Sequence, residues 1–383
     1  MIYFDNNATT QLAPEVFEAM RPFLQGSFGN PSSAYSLSDE AKRTIANTRE
    51  SVAKLLGAAD QHEIVFTSGG TESDNWAILG ALEADPAKRH IITTRVEHEA
   101  VRKLCHKLER QNYRVTWLEV DGSGALDLDH LSSALCDDTA IVSTMSANNE
   151  TGILFPVREI GEIVKGRSKA LFHVDGVNAV GKIPVDLNTT QIDLFSLSAH
   201  KFHGPKGVGA LYIRDGVKLP SLLIGGGQES GQRAGTEAVH QIAGLGAAAS
   251  LAIDLTVTDE IRQLRDNLEH KLLSTIPNTY VNGTADPSKR LPNTTNISFE
   301  NTNGEMILHR LDENSFCVST GSACNSQERT ASPVLQAMNI PYSRAMGSIR
   351  FSLGRFNTDA EIQSLLSILP AIIAELRTLA GSS

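Results

Sequence analysis

Ile192-Asp193-Leu194-Phe195-Ser196-Leu197-Ser198-Ala199-His200-Lys201 is an alternating, largely apolar run that ends in hydroxyl, imidazole and amine groups. The alternation predicts a strand, and the polar cluster after it predicts a strand end that carries chemistry. Working outward, short runs rich in β-branched residues recur at 64–67, 91–94, 115–118, 140–143, 171–174 and 208–213. Segments of helical length lie between most of them, including 99–111 and 157–165. Strands separated by such segments predict βαβ units, hence an α/β fold with a mostly parallel seven-stranded sheet covered by helices on both faces.

The pattern changes near Leu255-Thr256-Val257-Thr258-Asp259. Ile261, Leu264, Leu268 and Leu272 then mark a long amphipathic helix suited to connecting two units. The remainder of the chain reads as α+β, with strands near 295–299 and 316–319 and a final helix from about Asp359. The expected organisation is an N-terminal segment, 1–14, packing with the small domain, a large domain at 15–257 and a small C-terminal α+β domain at 258–383. No internal repeat or low-complexity tract is visible.

The chain has 383 residues, long enough for a sizeable core. Its formal net charge is 34 − 44 = −10, which disfavours nonspecific attraction to nucleic acid or anionic membranes. The N-terminus shows no basic region, long apolar run and cleavage site, and the apolar stretch around 242–253 is too short to span a bilayer. The expectation is a cytoplasmic protein without direct nucleic-acid or membrane binding. Four cysteines, none in a CxxC pair, argue against a disulfide scaffold or zinc knuckle. Cys105, Cys136 and Cys317 stand among apolar neighbours and are expected to be buried. Cys324 stands apart, in Ser319-Thr320-Gly321-Ser322-Ala323-Cys324-Asn325-Ser326, with nothing apolar to bury its sulfur.

In a parallel α/β sheet, ligands gather at the carboxyl ends of the strands. The 64–67 strand is followed by Ser68-Gly69-Gly70-Thr71-Glu72-Ser73, a glycine turn into a helix that suits a phosphate but is not a P-loop. His98 comes after the 91–94 strand, either as a polar helix-start residue or as a catalytic group. Asp175 comes after the 171–174 strand, where a buried carboxylate needs a partner such as a protonated ring nitrogen. Ser198, His200 and Lys201 come after the 192–197 strand. A phosphate cradle, an imidazole, an anion and an amine able to form a Schiff base match the needs of pyridoxal 5'-phosphate. His98, His173, His200 and His203 lack clustered metal-ligand spacing, so no metal site is expected.

The chain resembles the cysteine desulfurases of the NifS/IscS-like group, class V aminotransferase-type enzymes with the fold type I pyridoxal-phosphate architecture. The resemblance rests on Tyr3-Phe4-Asp5-Asn6-Asn7-Ala8-Thr9-Thr10, Gly29-Asn30-Pro31-Ser32-Ser33, Asn148-Asn149-Glu150-Thr151-Gly152, Arg233-Ala234-Gly235-Thr236, Gly321-Ser322-Ala323-Cys324 and Ser348-Ile349-Arg350-Phe351-Ser352-Leu353-Gly354-Arg355, beside the glycine turn and the lysine segment. It implies that Lys201 holds the cofactor covalently and moves protons, that His98 stacks on its ring, and that Asp175 anchors the ring nitrogen. It implies a phosphate site of Gly70, Thr71, Ser198 and His200, with Thr236 lent by the partner in a homodimer. Arg350, helped by Asn149, would grip the substrate carboxylate. Cys324 would attack the sulfur of L-cysteine, leaving L-alanine and an enzyme persulfide for an acceptor protein. The small residues around it suit a thiol that serves both the cleft and an outside acceptor.

Two positions depart from the family's common pattern. Asn178 stands where glutamine is usual for contact with the cofactor's ring hydroxyl, and Gln228-Glu229-Ser230 stands where His-Glu-Arg is common. Selenocysteine lyase and small aminotransferases share the fold, and a sulfur-transfer scaffold without catalysis is the alternative of a different class. Iron–sulfur cluster assembly, transfer-RNA thiolation and DNA phosphorothioation all draw on such donors, and the sequence does not separate them.

Overall fold

The computed structural model describes residues 1–320 and 331–381. Its twelve strands are β1 (Ile2–Tyr3), β2 (Ile64–Thr67), β3 (His90–Thr94), β4 (Arg114–Leu118), β5 (Thr139–Met145), β6 (Leu171–Asp175), β7 (Leu194–Ser198), β8 (Gly209–Ile213), β9 (Thr279–Val281), β10 (Thr294–Phe299), β11 (Phe316–Cys317) and β12 (Ser348–Ser352). Seven of them form one sheet in the order β2-β8-β7-β6-β5-β3-β4. All run parallel except β8, which is antiparallel to both neighbours. The connection 199–208 is too short to carry the chain back for a parallel partner, so β8 returns alongside β7 in the opposite sense. The mostly parallel α/β sheet read from the sequence is therefore present.

Alternate side chains of each strand enter opposite cores, which explains why the strands are apolar almost throughout. Val65, Ile91, Ile141, Leu194 and Leu211 pack with the helices Gly70–Ala84 and Glu99–Glu109. Their neighbours Phe66, Ile92, Val142, Phe195 and Tyr212 pack on the other face with Asp39–Leu56, Val157–Arg167 and Val239–Ala252. Along the sheet, β3 continues to β4 on one side, whereas β5 to β8 lie on the other. That reversal opens a crevice beyond the carboxyl ends of β3 and β5.

The second sheet, β12-β10-β9, is antiparallel. Ile297, Phe299, Ile349 and Phe351 form its core with the helices Thr256–Thr275, Gly304–Glu313 and Asp359–Gly381. β1 pairs with β11, and Phe4 joins this core. Among the described residues, one long apolar helical stretch stands out, Asp359–Leu379. By length and composition it could cross a bilayer, but Ile362, Leu365, Leu369, Ile372, Ile373 and Leu376 are buried in the second core.

Cys105 is buried as expected, whereas Cys136 and Cys317 are only half-buried. Cys136 Sγ accepts a hydrogen bond from Arg114 Nη2 at 3.0 Å beside the edge strand β4, where no further strand covers it. Cys317 lies in the two-residue β11, which has β1 as its ladder partner.

Candidate active site

The site is assembled from the turns that come after β2, β3, β5, β6 and β7. After β2, Gly69 has φ +145°, a conformation closed to most side chains. A Cβ on Gly70 would stand 2.5 Å from Val177 Cγ2, so glycine alone fits between the Gly70–Ala84 helix and the turn after β6. Gly69 supplies no side chain to cap that helix. The turn is held from outside by Glu72, which accepts from Ser68 N at 2.8 Å and from Arg233 Nε at 2.9 Å.

After β3, His98 is the polar helix-start residue that its position allowed. It caps the Glu99–Glu109 helix through Nδ1, which accepts from Ala100 N at 3.2 Å, and its ring lines the central cavity. Burial lowers its pKa, with Asp175 opposing and Lys201 adding to the shift. A neutral ring whose Nδ1 accepts must carry its proton on Nε2. Glu97 turns the other way, accepting from Thr94 Oγ1 at 2.7 Å and Met145 N at 3.1 Å, and burial lifts its pKa to about 8.

Past β5, the Asn148 side chain ties the turn together. Its Oδ1 accepts from Glu150 N and Thr151 N, both at 2.9 Å, and its Nδ2 donates to Val96 O at 3.0 Å. That brace presents Asn149 to the cavity. Asp175 ends β6, buried, with Oδ1 accepting from Val177 N at 2.9 Å. Burial raises its pKa, while His98, the Val177 N–H and Lys201 oppose the rise. Behind it lies Asp74, whose pKa burial and Asp175 push well above the ordinary range.

Lys201 comes after β7 and donates to Asn7 O at 2.5 Å and Ala8 O at 3.2 Å. Burial pushes its amine down to about 8, with Arg350 adding to that push and Asp175 and Asp5 opposing it. His200 Nδ1 lies 3.1 Å from Thr9 Oγ1, and burial takes its pKa to about 4, so the ring is neutral near pH 7.

His98, Asn149, Asp175, Asn178 and Lys201 line one cavity of about 270 Å³. It adjoins a second of about 350 Å³, and Gly70, Thr71, Ser198 and His200 line both. Thr236 lines neither and is exposed. Arg350, in the centre of β12, reaches the same place by donating from Nη1 to Asn149 O at 2.9 Å. Cys324 lies outside the described residues. Its described flanks meet the site. Arg350 N donates to Ser319 O at 2.7 Å, and Ser332 Oγ donates to Glu150 Oε2 at 2.5 Å.

Sequence reasoning did not single out Asp5, Asn7, Asp74, Glu97 or Lys182. The signal for Asp5 and Asn7 was a sudden polar run behind Ile2-Tyr3-Phe4, and for Lys182 a lone cation inside Ala179-Val180-Gly181-Lys182-Ile183. Of the four histidines considered together as metal ligands, His98 and His200 line the central cavity, whereas His173 and His203 do not. His173 sits inside the sheet between Ser143 and Ser196, both at 2.9 Å, and His203 Nδ1 lies 2.9 Å from Gln11 O.

The family model for aminotransferase class-V matches residues 2–365. A cysteine desulfurase of Trichormus azollae is 53% identical over 382 residues, covering 99% of this chain and 94% of that protein. Among solved structures, a NifS-like protein superposes with a TM-score of 0.91 at 38% identity, covering 98% of this chain and 100% of that one. SspA in complex with cysteine superposes with a TM-score of 0.82 at 34% identity, covering 94% of this chain and 100% of that one. The strand-end site and the match along nearly the whole sequence agree, and the chain belongs to the class-V aminotransferase family.

Proposed function

We propose that this protein is a pyridoxal-phosphate-dependent cysteine desulfurase that converts L-cysteine to L-alanine and places the sulfur on Cys324 for an acceptor protein. The observation that carries the reading is the meeting, in one cavity, of the Lys201 amine, the Asp175 carboxylate and the helix start at Gly70 and Thr71. The donor set fits the cofactor. A side chain at Gly70 would collide with Val177, which keeps the backbone bare at the end where Ser198 and His200 converge for a phosphate. At the other end, a buried carboxylate whose pKa is raised by desolvation lacks the cation that a protonated ring nitrogen would supply.

When bound there, the cofactor supplies an electron sink for charge developing on the substrate carbon. The chain's own groups do the rest. Lys201, with its pKa near 8, holds or releases a proton within the cavity near neutral pH. His98, whose ring lines the cavity with Nδ1 engaged by Ala100 N, would face the cofactor's ring with its proton on Nε2. Arg350 and Asn149 orient the carboxylate of L-cysteine. The Cys324 thiolate attacks the substrate sulfur. The carbon–sulfur bond breaks, its electron pair stays on carbon, and a proton completes L-alanine.

The family resemblance gives Thr236 to a second copy's phosphate site, and its exposure away from both cavities is compatible with that role, so we assign a homodimer. We take residues 15–257 as the cofactor-binding unit, with 258–383 and the N-terminal segment 1–14 forming the smaller one. Cytoplasmic location fits a donor that meets acceptor proteins there. The test is incubation of the cofactor-loaded protein with L-cysteine and a thiol reductant, measuring alanine and sulfide. Equal amounts of both are expected, and Cys324→Ser should abolish them while leaving the cofactor's visible band. Keto-acid formation in their place would overturn the assignment in favour of an aminotransferase.

A further inference from the structure

Lys182 stands in the wall between the central cavity and a neighbouring cleft that runs past Arg355 and Asp254. It is 8% exposed, and among the described residues no carboxylate pairs with it. Its Nζ donates to Asn178 Oδ1 at 2.9 Å, Asn178 O at 3.0 Å and Asn7 Oδ1 at 3.3 Å. The Asn7 amide is fixed independently, because its Nδ2 donates to Thr294 Oγ1 at 2.8 Å and its Oδ1 accepts from Asn293 Nδ2 at 3.0 Å. An ammonium offers three N–H donors and no acceptor, so three oxygens satisfy it completely.

That match decides which way the Asn178 amide points. With Oδ1 turned to Lys182, Nδ2 is the end left for the cavity that Asn178 lines. Nδ2 makes only a 3.5 Å contact with Asn148 O, which leaves at least one of its two N–H groups to donate elsewhere. We propose that Lys182 is a positioning residue that holds the Asn178 amide with its Nδ2 ready to donate to the ring oxygen of the bound cofactor. This rests on reading the cavity as a pyridoxal phosphate site.

Charge supports the same arrangement. Burial, with Lys201 and Arg350 nearby, pushes the Lys182 amine well below its ordinary value. A buried cation without a counter-charge is costly, and an anionic ring oxygen on the far side of Asn178 would supply one. Asn178 is thus held by a lysine and not left to turn.

The experiment is a titration of the cofactor-free protein with pyridoxal phosphate, monitored by its visible band without substrate. It compares wild type with Lys182→Met, Asn178→Ala and the double variant. A hydrogen bond to a charged acceptor implies that each single variant weakens binding roughly ten-fold. If Lys182 acts through Asn178, the double variant binds no more weakly than the weaker single one. Lys182→Met binding like wild type, or losses that multiply in the double variant, would overturn the proposal. Should Lys182→Met fail to fold, Asn178→Asp decides. Its carboxylate would pair with Lys182 and offer the cofactor no donor, so weakening by a similar factor is expected, and wild-type affinity would overturn the idea. A wild type that shows no band at all would overturn the cofactor reading itself and this inference with it.

Discussion

The Asp5 carboxylate lies 2.6 Å from Arg350 Nη2, so the guanidinium assigned to the substrate's carboxylate already holds a carboxylate from the chain's own N-terminus. Nη1 is engaged by Asn149 O, and Nε has no hydrogen-bond partner among the described residues. A substrate carboxylate binding as a fork must therefore share or displace Asp5.

Replacing Asp5 by asparagine keeps the shape and removes the competing charge. Because Arg350 is buried, its attraction for another carboxylate should rise. The dissociation constant for L-alanine, read from the perturbation of the cofactor band, is expected to fall several-fold. An increase would show that Asp5 serves to aim Arg350 and does not compete for it.

Lys201 must lose its proton before it can attack an aldehyde. With a pKa of about 8, roughly one amine in ten is neutral at pH 7, against fewer than one in a thousand for an ordinary lysine. The rate of cofactor capture by the cofactor-free protein should rise about ten-fold per pH unit from pH 6 and level off near pH 8. Since Arg350 helps to depress this pKa, Arg350→Gln should move the levelling point upward. A rate that still climbs steeply at pH 10 in the wild type would contradict the depressed amine.

Glu97 has a folded-state pKa of about 8, raised chiefly by burial and further by Asp175. The unfolded chain gives up this proton near pH 4.3, where the folded chain still keeps it. The stability Glu97 contributes is therefore complete below that pH and is lost as pH rises through 8. Relative to wild type, Glu97→Gln should gain a few degrees in Tm between pH 5 and pH 8. Parallel melting curves across that range would remove Glu97 as a proton-holding group.

The parts of this site that the sequence made legible lie at the ends of apolar strands. Asp175, Ser198 and Lys201 each interrupt a buried run, and His98 begins a helix, so position alone marks them. The β8 strand was equally plain as a strand, but its reversed direction comes from the short 199–208 connection and not from any pattern within it. Asp5 was opaque because it meets Arg350 across 345 positions, beside a single isolated bridge from Asp5 to Ser352 of β12. Lys182 was opaque for a different reason. Lysines are ordinarily solvated, and only the oxygens of Asn7 and Asn178 explain how this one is buried.

The central claim is that sulfur leaves L-cysteine onto Cys324, and mass analysis of the peptide carrying Cys324 tests it most directly. The cofactor-loaded protein is given L-cysteine without reductant and quenched after a single turnover. The account predicts one added sulfur atom on Cys324 and one L-alanine for each persulfide formed. Alanine production with Cys324 unmodified, or a persulfide on Cys105, Cys136 or Cys317 instead, would contradict it.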